Sequence, residues 1–211
     1  MYQLFNVQLL LLIIFQVSAA TIILNSFTTS GPSCPPDSAL TTAHIFPSSS
    51  NNGFNFTQRI DNFRPRLGPG VPITASRSNC TVTLNVTLSE PNTRIYLNLN
   101  GGYFSGYAPM IKGDTMQTVA TYDWLDNPLH IRNSLILRGP NVGRFDRRGD
   151  TTDDNENYSP CNGGILTAVF YARLSTTSNE VRGEFPVDVE PEVERWGITT
   201  SMHEVPCRST A

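Results

Sequence analysis

Apolar and polar residues alternate strictly through Thr81-Val82-Thr83-Leu84-Asn85-Val86-Thr87-Leu88. A period of two gives a strand with one buried and one wet face. Arg94 to Asn100 repeats the pattern with Ile95, Leu97 and Leu99 inward. Phe54, Phe56 and Gln58 alternate with Asn55 and Thr57. Leu166, Ala168, Phe170, Ala172 and Leu174 form another inward set, as do Phe185, Val187 and Val189. Shorter strands are predicted near Leu40–Phe46, Thr118–Trp124 and Arg132–Leu137.

Turn formers separate these runs, as in Arg64-Pro65-Arg66-Leu67-Gly68-Pro69-Gly70, Asn100-Gly101-Gly102 and Cys161-Asn162-Gly163-Gly164. Short strands with Gly/Pro punctuation and no sustained helical period predict an all-β, antiparallel β-sandwich of jelly-roll or immunoglobulin-like type. Pro191 to Trp196 is expected to form at most a short helical turn. Asp146 to Asn157 is polar and lacks apolar period, which predicts a long exposed loop. Ser26 to Pro36 and the last few residues read as flexible flanks, pinned by Cys34 and Cys207.

The start of the chain changes the picture. An apolar run from Leu9 to Phe15 precedes Val17-Ser18-Ala19-Ala20. That pattern predicts a signal peptide over residues 1–20, although basic residues are missing ahead of the apolar run. The run is too short for a membrane span, which needs roughly 20 apolar residues. The remainder, 21–211, reads as one domain without repeats or linkers. It is expected to be secreted and extracellular. A net charge of −3 predicts no attraction to nucleic acid.

In an exported chain the four cysteines, Cys34, Cys80, Cys161 and Cys207, imply two disulfides. Sequence does not choose among the pairings; Cys34–Cys80 with Cys161–Cys207 is preferred because each pair brackets a contiguous group of strands. No pair has the close spacing of a zinc site, and no cofactor or metal is expected. Asn55, Asn79, Asn85 and Asn157 each begin an N-x-[ST] sequon, making them candidate glycosylation sites. Asn85 fits best, because it falls on the wet face of its strand.

Candidate chemistry is sparse. The G-x-S-x-G pattern of many serine hydrolases is absent, and His44, His130 and His203 share no local motif. A mature start near Ala20 or Thr21 also lacks the terminal histidine of copper polysaccharide oxidases. Asp188 and Glu190 lie two apart on one predicted strand, so their backbones stand about 6.5–7 Å apart on one side. They are the candidate catalytic pair, since glycosidases set carboxyl groups roughly 5–9.5 Å apart. Against this, Pro191 interrupts the strand, and a solvated acidic face is the preferred reading of these carboxylates. Asp150 to Glu156 carries oxygen ligands suited to calcium but lacks EF-hand spacing. Arg148-Gly149-Asp150 spells an adhesion tripeptide, and Arg147-Arg148 is a dibasic pair open to processing. Tyr103, Phe104, Tyr107, Tyr122 and Trp124 could fill the core or stack on sugars; Tyr103, Tyr107 and Trp124 are the candidate binding residues.

Ser33-Cys34-Pro35, Arg77-Ser78-Asn79-Cys80, Gly139-Pro140, Ser159-Pro160-Cys161, Trp196 and Cys207 follow one another in order. Together they resemble the fungal secreted family labelled domain of unknown function 4360, over roughly Gly31 to Cys207. The family often has Gly before the first Cys-Pro, where this chain has Ser33. The resemblance implies an exported β-rich protein and carries over no catalytic or binding residue.

The expected function is therefore that of a non-catalytic extracellular module binding cell-wall polysaccharide or a cell-surface protein. The alternatives are a secreted glycan hydrolase and an effector or inhibitor that binds a host protein. Sequence leaves the oligomeric state open.

Overall fold

The computed structural model describes residues 21–207 apart from 37–40, 49–52, 62, 64, 69, 98–100, 128, 152–155 and 178–194. The signal peptide expected over 1–20, the strand through Phe185, Val187 and Val189, and the turn from Pro191 fall outside the described residues, Arg195 and Trp196 excepted.

Two antiparallel six-stranded sheets pack face to face as a β-sandwich. The first sheet contains β1 (Ile22–Ser30), β4 (Arg77–Leu88), β7 (Asp114–Trp124), β8 (His130–Arg138), β10 (Asp150–Thr151) and β11 (Gly163–Thr176). Their spatial order is β1-β4-β11-β7-β8-β10. The second contains β2 (Thr41–Pro47), β3 (Gly53–Ile60), β5 (Thr93–Leu97), β6 (Tyr103–Tyr107), β9 (Arg144–Arg148) and β12 (Trp196–Pro206). Its order is β2-β3-β12-β6-β9, and β5 pairs with the far part of β12.

Alternation fixes register, because a one-residue slip would turn every inward side chain out to water. Val82, Ala168, Tyr122 and Ile131 face each other across β4, β11, β7 and β8. All four are buried, and so is the neighbouring row Leu84, Leu166, Trp124. The second sheet answers with Phe54, Phe56, Gln58 and Ile60 opposite Met202, Thr200, Ile198 and Trp196. An aromatic cluster fills one part of the space between. The Phe63 ring lies 4.6 Å from that of Phe170 and 5.2 Å from that of Trp196, and Phe145 meets Trp196 edge-on at 5.2 Å. Truncating a ring like Phe170 to Ala would cost about 3–5 kcal/mol, the usual result of emptying a packed aromatic site.

The disulfides join Cys34 to Cys80 and Cys161 to Cys207, the preferred pairing. The second closes one end of the sandwich. There Asn162 donates its backbone N–H to Thr93 O, and its side-chain oxygen accepts from the Asn92 N–H. Both asparagines have positive φ, at 59° and 67°, which Asn tolerates better than most residues.

Two expectations are corrected. Ser26–Ser30, expected as part of a flank, belongs to strand β1, which pairs with β4 from Leu88 to Thr81. The last few residues, 208–211, lie outside the described residues; ahead of them Trp196–Pro206 is the longest strand of the second sheet, contacting β3, β5 and β6. The loop expected from Asp146 is interrupted by β9 and β10. Its alternation is masked because these strands lie at sheet edges, where the outward residues are charged. The chain changes sheets at Gly149, where an added Cβ would come within 2.5 Å of Phe104 and of Ser134 O.

Candidate functional site

The outer face of the second sheet gathers most of the candidate surface chemistry. On β6, Tyr103, Ser105 and Tyr107 point outward while Phe104 is fully buried. Cross-strand register then builds rows. His44, Thr57, Thr199, Tyr103 and Arg148 lie side by side across β2, β3, β12, β6 and β9. Thr42, Arg59, Gly197, Ser105 and Asp146 form the next row. Thr57 and Thr199 share a hydrogen bond of 2.8 Å between their hydroxyls. Gly197 has no side chain, and Ser105 Oγ lies 2.9 Å from where its Cβ would be, so the floor of the face is low there.

Strands β5 and β6 follow one another along the same side of β12. Tyr96 on β5 sits opposite His203, and Tyr103 on β6 sits opposite Thr199. His203 and Thr199 are four residues apart on β12, as are Tyr103 and Tyr107 on β6. At about 3.3 Å per residue, Tyr96, Tyr103 and Tyr107 are spaced along one line at intervals of about 13 Å. Tyr103 is 56% exposed; Tyr96 and Tyr107 are half-buried. The Tyr107 ring lies over Gly143, with Cε2 2.8 Å from the place of a Cβ, so a bare backbone seats it. At this end Arg195 and Asp61 form a two-point ion pair at 2.7 and 3.2 Å.

At the other end Tyr96 is joined by Tyr158. The segment around Tyr158 is tied to β5 by Ser159 N–H to Ile95 O at 2.8 Å and Leu97 N–H to Asn157 O at 3.2 Å. The two tyrosine rings are 5.0 Å apart, and the Arg94 guanidinium lies 3.8 Å over the Tyr158 ring. The Tyr158 hydroxyl donates to Glu156 at 2.8 Å. That bond, then burial and the carboxylate charge, raises the Tyr158 pKa above its ordinary value of 10.0, against a smaller lowering effect of Arg94. Burial, then Glu156, raises Tyr96 as well. Arg94, Glu156, Tyr158, Asp126 and Asn127 line a cleft of about 520 Å³ between β5 and the β7–β8 turn.

Of the candidate binding residues, Tyr103 and Tyr107 share this face and Trp124 does not. Trp124 is 1% exposed on the inner face of β7, so it is a core residue and no sugar platform. Tyr96, Tyr158 and Arg94 were missed. Tyr96 carried a readable signal: it occupies a wet position in the Arg94–Asn100 alternation, where an aromatic ring is out of place.

Asp188 and Glu190 lie outside the described residues, as do four positions of the proposed calcium loop. Among the described residues no group of three His, Cys, Asp or Glu side chains is placed to hold a metal. His44 and His203 share the outer face of the second sheet, whereas His130 stands opposite Asp123 on the first. Asp123 is raised above the ordinary carboxylate value by burial, partly offset by His130. The adhesion tripeptide is not a loop tip: Arg148 belongs to β9, Gly149 is buried and Asp150 belongs to β10 of the other sheet. Arg147 and Arg148 are held in β9 against β6.

The sequons divide. Asn79 and Asn85 are exposed on the outer face of the first sheet, and Asn55 is half-exposed on that of the second. Asn157 is fully buried, and its Nδ2 donates to Tyr122 O at 3.2 Å and Leu129 O at 2.8 Å. Those bonds use the atom a glycan would occupy, so Asn157 is a structural residue in this fold.

Solved structures that align with the chain include the carbohydrate-binding module TmCBM61 in complex with β-1,4-galactotriose. It is 8% identical, the alignment covers 86% of this chain and 89% of that one, and the TM-score is 0.23. A family 11 carbohydrate-binding module from Clostridium thermocellum, in complex with a β-1,3-1,4-mixed-linked tetrasaccharide, is 6% identical over 93% of this chain and 94% of that one, at a TM-score of 0.20. The enzymatically active domain of bacteriophage CBA120 tailspike protein 4 is 14% identical over 89% of this chain and 20% of that one, at a TM-score of 0.26. Alignments at these scores carry no weight about ligands. No curated protein matches the chain. The family model described as domain of unknown function, DUF4360, matches residues 20–193, and the chain belongs to that family.

Proposed function

We propose that this chain is an exported, non-catalytic module that binds polysaccharide on the outer face of its second sheet. The observation that carries the reading is the line of Tyr96, Tyr103 and Tyr107 on one face, bordered by hydroxyl and guanidinium side chains. A sugar ring presents an apolar C–H face that lies flat on an aromatic ring, while its rim of hydroxyls needs polar partners. Tyrosine supplies a large apolar face with a polar tip. A repeating ligand fits repeating platforms, since several modest contacts on one chain act together.

Export is supported by the disulfides, which persist in oxidising compartments. Among the described residues no helix is long and apolar enough to cross a membrane.

The test is sedimentation of the secreted protein with insoluble chitin, β-glucan, cellulose and mannan, with released sugar assayed in the supernatant. Retention on one polymer without release is expected, with Tyr96→Ala and Tyr103→Ala each weakening binding about tenfold, the equivalent of about 1.4 kcal/mol. Released sugar would favour the hydrolase alternative. Retention by none would remove the polysaccharide reading and point to a protein partner.

A further inference from the structure

Resting on the export and the binding face proposed above, we infer that Asn55 carries an N-linked glycan whose first sugar lies on the Phe46 ring, and that this contact turns the glycan away from the tyrosine line. Asn55-Phe56-Thr57 is a sequon on β3. Alternation places Phe56 in the core, fully buried, and Asn55 on the outer face, half-exposed. The residue directly across from Asn55 on β2 is Phe46. Side chains paired in this way have Cβ atoms about 4.5–5.5 Å apart, so the ring is within reach of the first sugar of a glycan on Asn55. Phe46 is 43% exposed, at an outward position of β2, which ends the strand order of the sheet among the described residues. The C–H face of a sugar covers an apolar ring of this kind.

Chain order leaves the sequon open when it is needed. In the finished fold the Thr57 hydroxyl lies 2.8 Å from that of Thr199, and Thr57 is buried. Thr199 belongs to β12 and is made 142 residues after Thr57. The strand that closes over Thr57 is therefore absent while the sequon emerges during synthesis. The sugar donor is a lipid diphosphate-linked oligosaccharide of the secretory pathway. Asn55 Nδ2 attacks its anomeric carbon, and the N–C bond forms as the C–O bond to the diphosphate breaks. The lipid diphosphate leaves with the electron pair, and the amide proton passes to a base of the transferase. Register then gives the glycan a direction. On β12 Asn55 stands opposite Ser201, midway between Thr199 and His203, which face Tyr103 and Tyr96. Two inter-strand steps of about 4.8 Å separate Asn55 from the tyrosine line, so a glycan free to swing would lie across it. Phe46 stands on the other side of Asn55, away from β12. A first sugar held there aims the rest of the glycan off the β2 side and leaves the line open to polysaccharide.

The experiment uses the full chain secreted from a glycosylating eukaryotic host, unaltered and as Phe46→Ala, Asn55→Gln and the double variant. Peptide mapping should find a glycan on Asn55; a bare Asn55 in the secreted protein would overturn the inference. Asn55→Gln should lower Tm by about 2–4 °C, the shift of one aromatic contact in a domain of this size, and should have no such effect where Phe46 is already Ala. An equal fall in both backgrounds would overturn the stacking. On the insoluble polymer that retains the unaltered chain, Phe46→Ala should weaken retention several-fold. The double variant should regain it, a rescue that misfolding cannot produce. Equal weakening in Phe46→Ala and the double variant would make Phe46 part of the binding surface and overturn its steering role. Retention of none of the four, with Asn55 glycosylated and the Tm pattern intact, would remove the polysaccharide reading and leave the ring-held glycan standing.

Discussion

The Tyr122 hydroxyl, carried by the first sheet, meets the Thr200 hydroxyl of the second at 2.7 Å in the middle of the sandwich. Asn133 Nδ2 donates to the same Thr200 oxygen at 3.4 Å, and the Asn133 oxygen accepts from the Thr151 hydroxyl at 3.2 Å. Tyr122, Asn133 and Thr200 are all 1% exposed or less. A polar chain thus stitches the two sheets together across a largely apolar interior, and Tyr122, Asn133 and Thr200 each have a hydrogen-bond partner within it.

Tyr122→Phe should cost about 1–2 kcal/mol at neutral pH, because the buried Thr200 hydroxyl loses a partner. The same change should flatten the alkaline limb of stability. Burial raises the Tyr122 pKa above its ordinary 10.0, outweighing the lowering effect of the bond to Thr200. The folded state then holds its proton where the unfolded chain releases it. Its contribution is therefore complete below pH 10 and is lost as pH rises beyond, by about 1.4 kcal/mol per pH unit until the folded group titrates. Urea melts from pH 8 to 11 on both proteins check the sign. Equal alkaline slopes would refute it.

Asn157→Gln should destabilise the fold by about 1–3 kcal/mol, because it misplaces the donor that satisfies the Tyr122 and Leu129 carbonyls. Peptide mapping of the secreted protein should find Asn157 without a glycan and Asn85, exposed on β4, with one. A glycan on Asn157 in folded protein would contradict the burial described above.

Much of the sandwich was legible in the alternation of Thr81–Leu88 and Leu166–Leu174, because these strands form the middle of the first sheet and show one face to the core. β1 was not, since its burial alternates poorly: it is an edge strand whose register shifts between Leu24 and Ser26, with both Ile23 and Phe27 exposed. β12 was obscured by its threonines and serine, of which Thr200 is buried for its hydroxyl rather than for apolar surface. The binding candidates Tyr103 and Tyr107 were found by residue type alone. That they align with Tyr96 follows from register across β12, which joins segments far apart in sequence. Trp124 was misassigned for the same reason: side-chain chemistry does not say which face a strand turns inward.

The disulfides should differ in how they are reached, though each closes a loop with a separation of 46 residues. Loop closure of that length stabilises by about 4 kcal/mol for either one. Cys34 and Cys80 are 0% exposed, whereas Cys161 is exposed and Cys207 half-buried. Mild reductant under native conditions followed by thiol labelling should therefore modify Cys161 and Cys207 first. Labelling of Cys34 or Cys80 at the same rate would mean that the sandwich opens as a whole before either bond is cut.

Glu156→Gln should lower the Tyr158 pKa toward its ordinary value, and Arg94→Gln should raise it further. The first change removes the carboxylate that accepts the hydroxyl proton and repels the phenolate, the larger of the two influences. The second removes the guanidinium 3.8 Å over the ring, which favours the phenolate. Absorbance titration of tyrosinate, with Tyr158→Phe as the reference for the other tyrosines, separates the two directions. The physical consequence concerns recognition. A phenolate is strongly hydrated and stacks poorly, while the neutral ring keeps its apolar face available beside Tyr96. By raising the Tyr158 pKa above 10.0, Glu156 extends the neutral form of this ring further into the alkaline range. In Glu156→Gln, polysaccharide binding should begin to fail at a lower alkaline pH than in the unaltered chain. An unchanged binding profile alongside a lowered Tyr158 pKa would place Tyr158 outside the surface that touches the ligand.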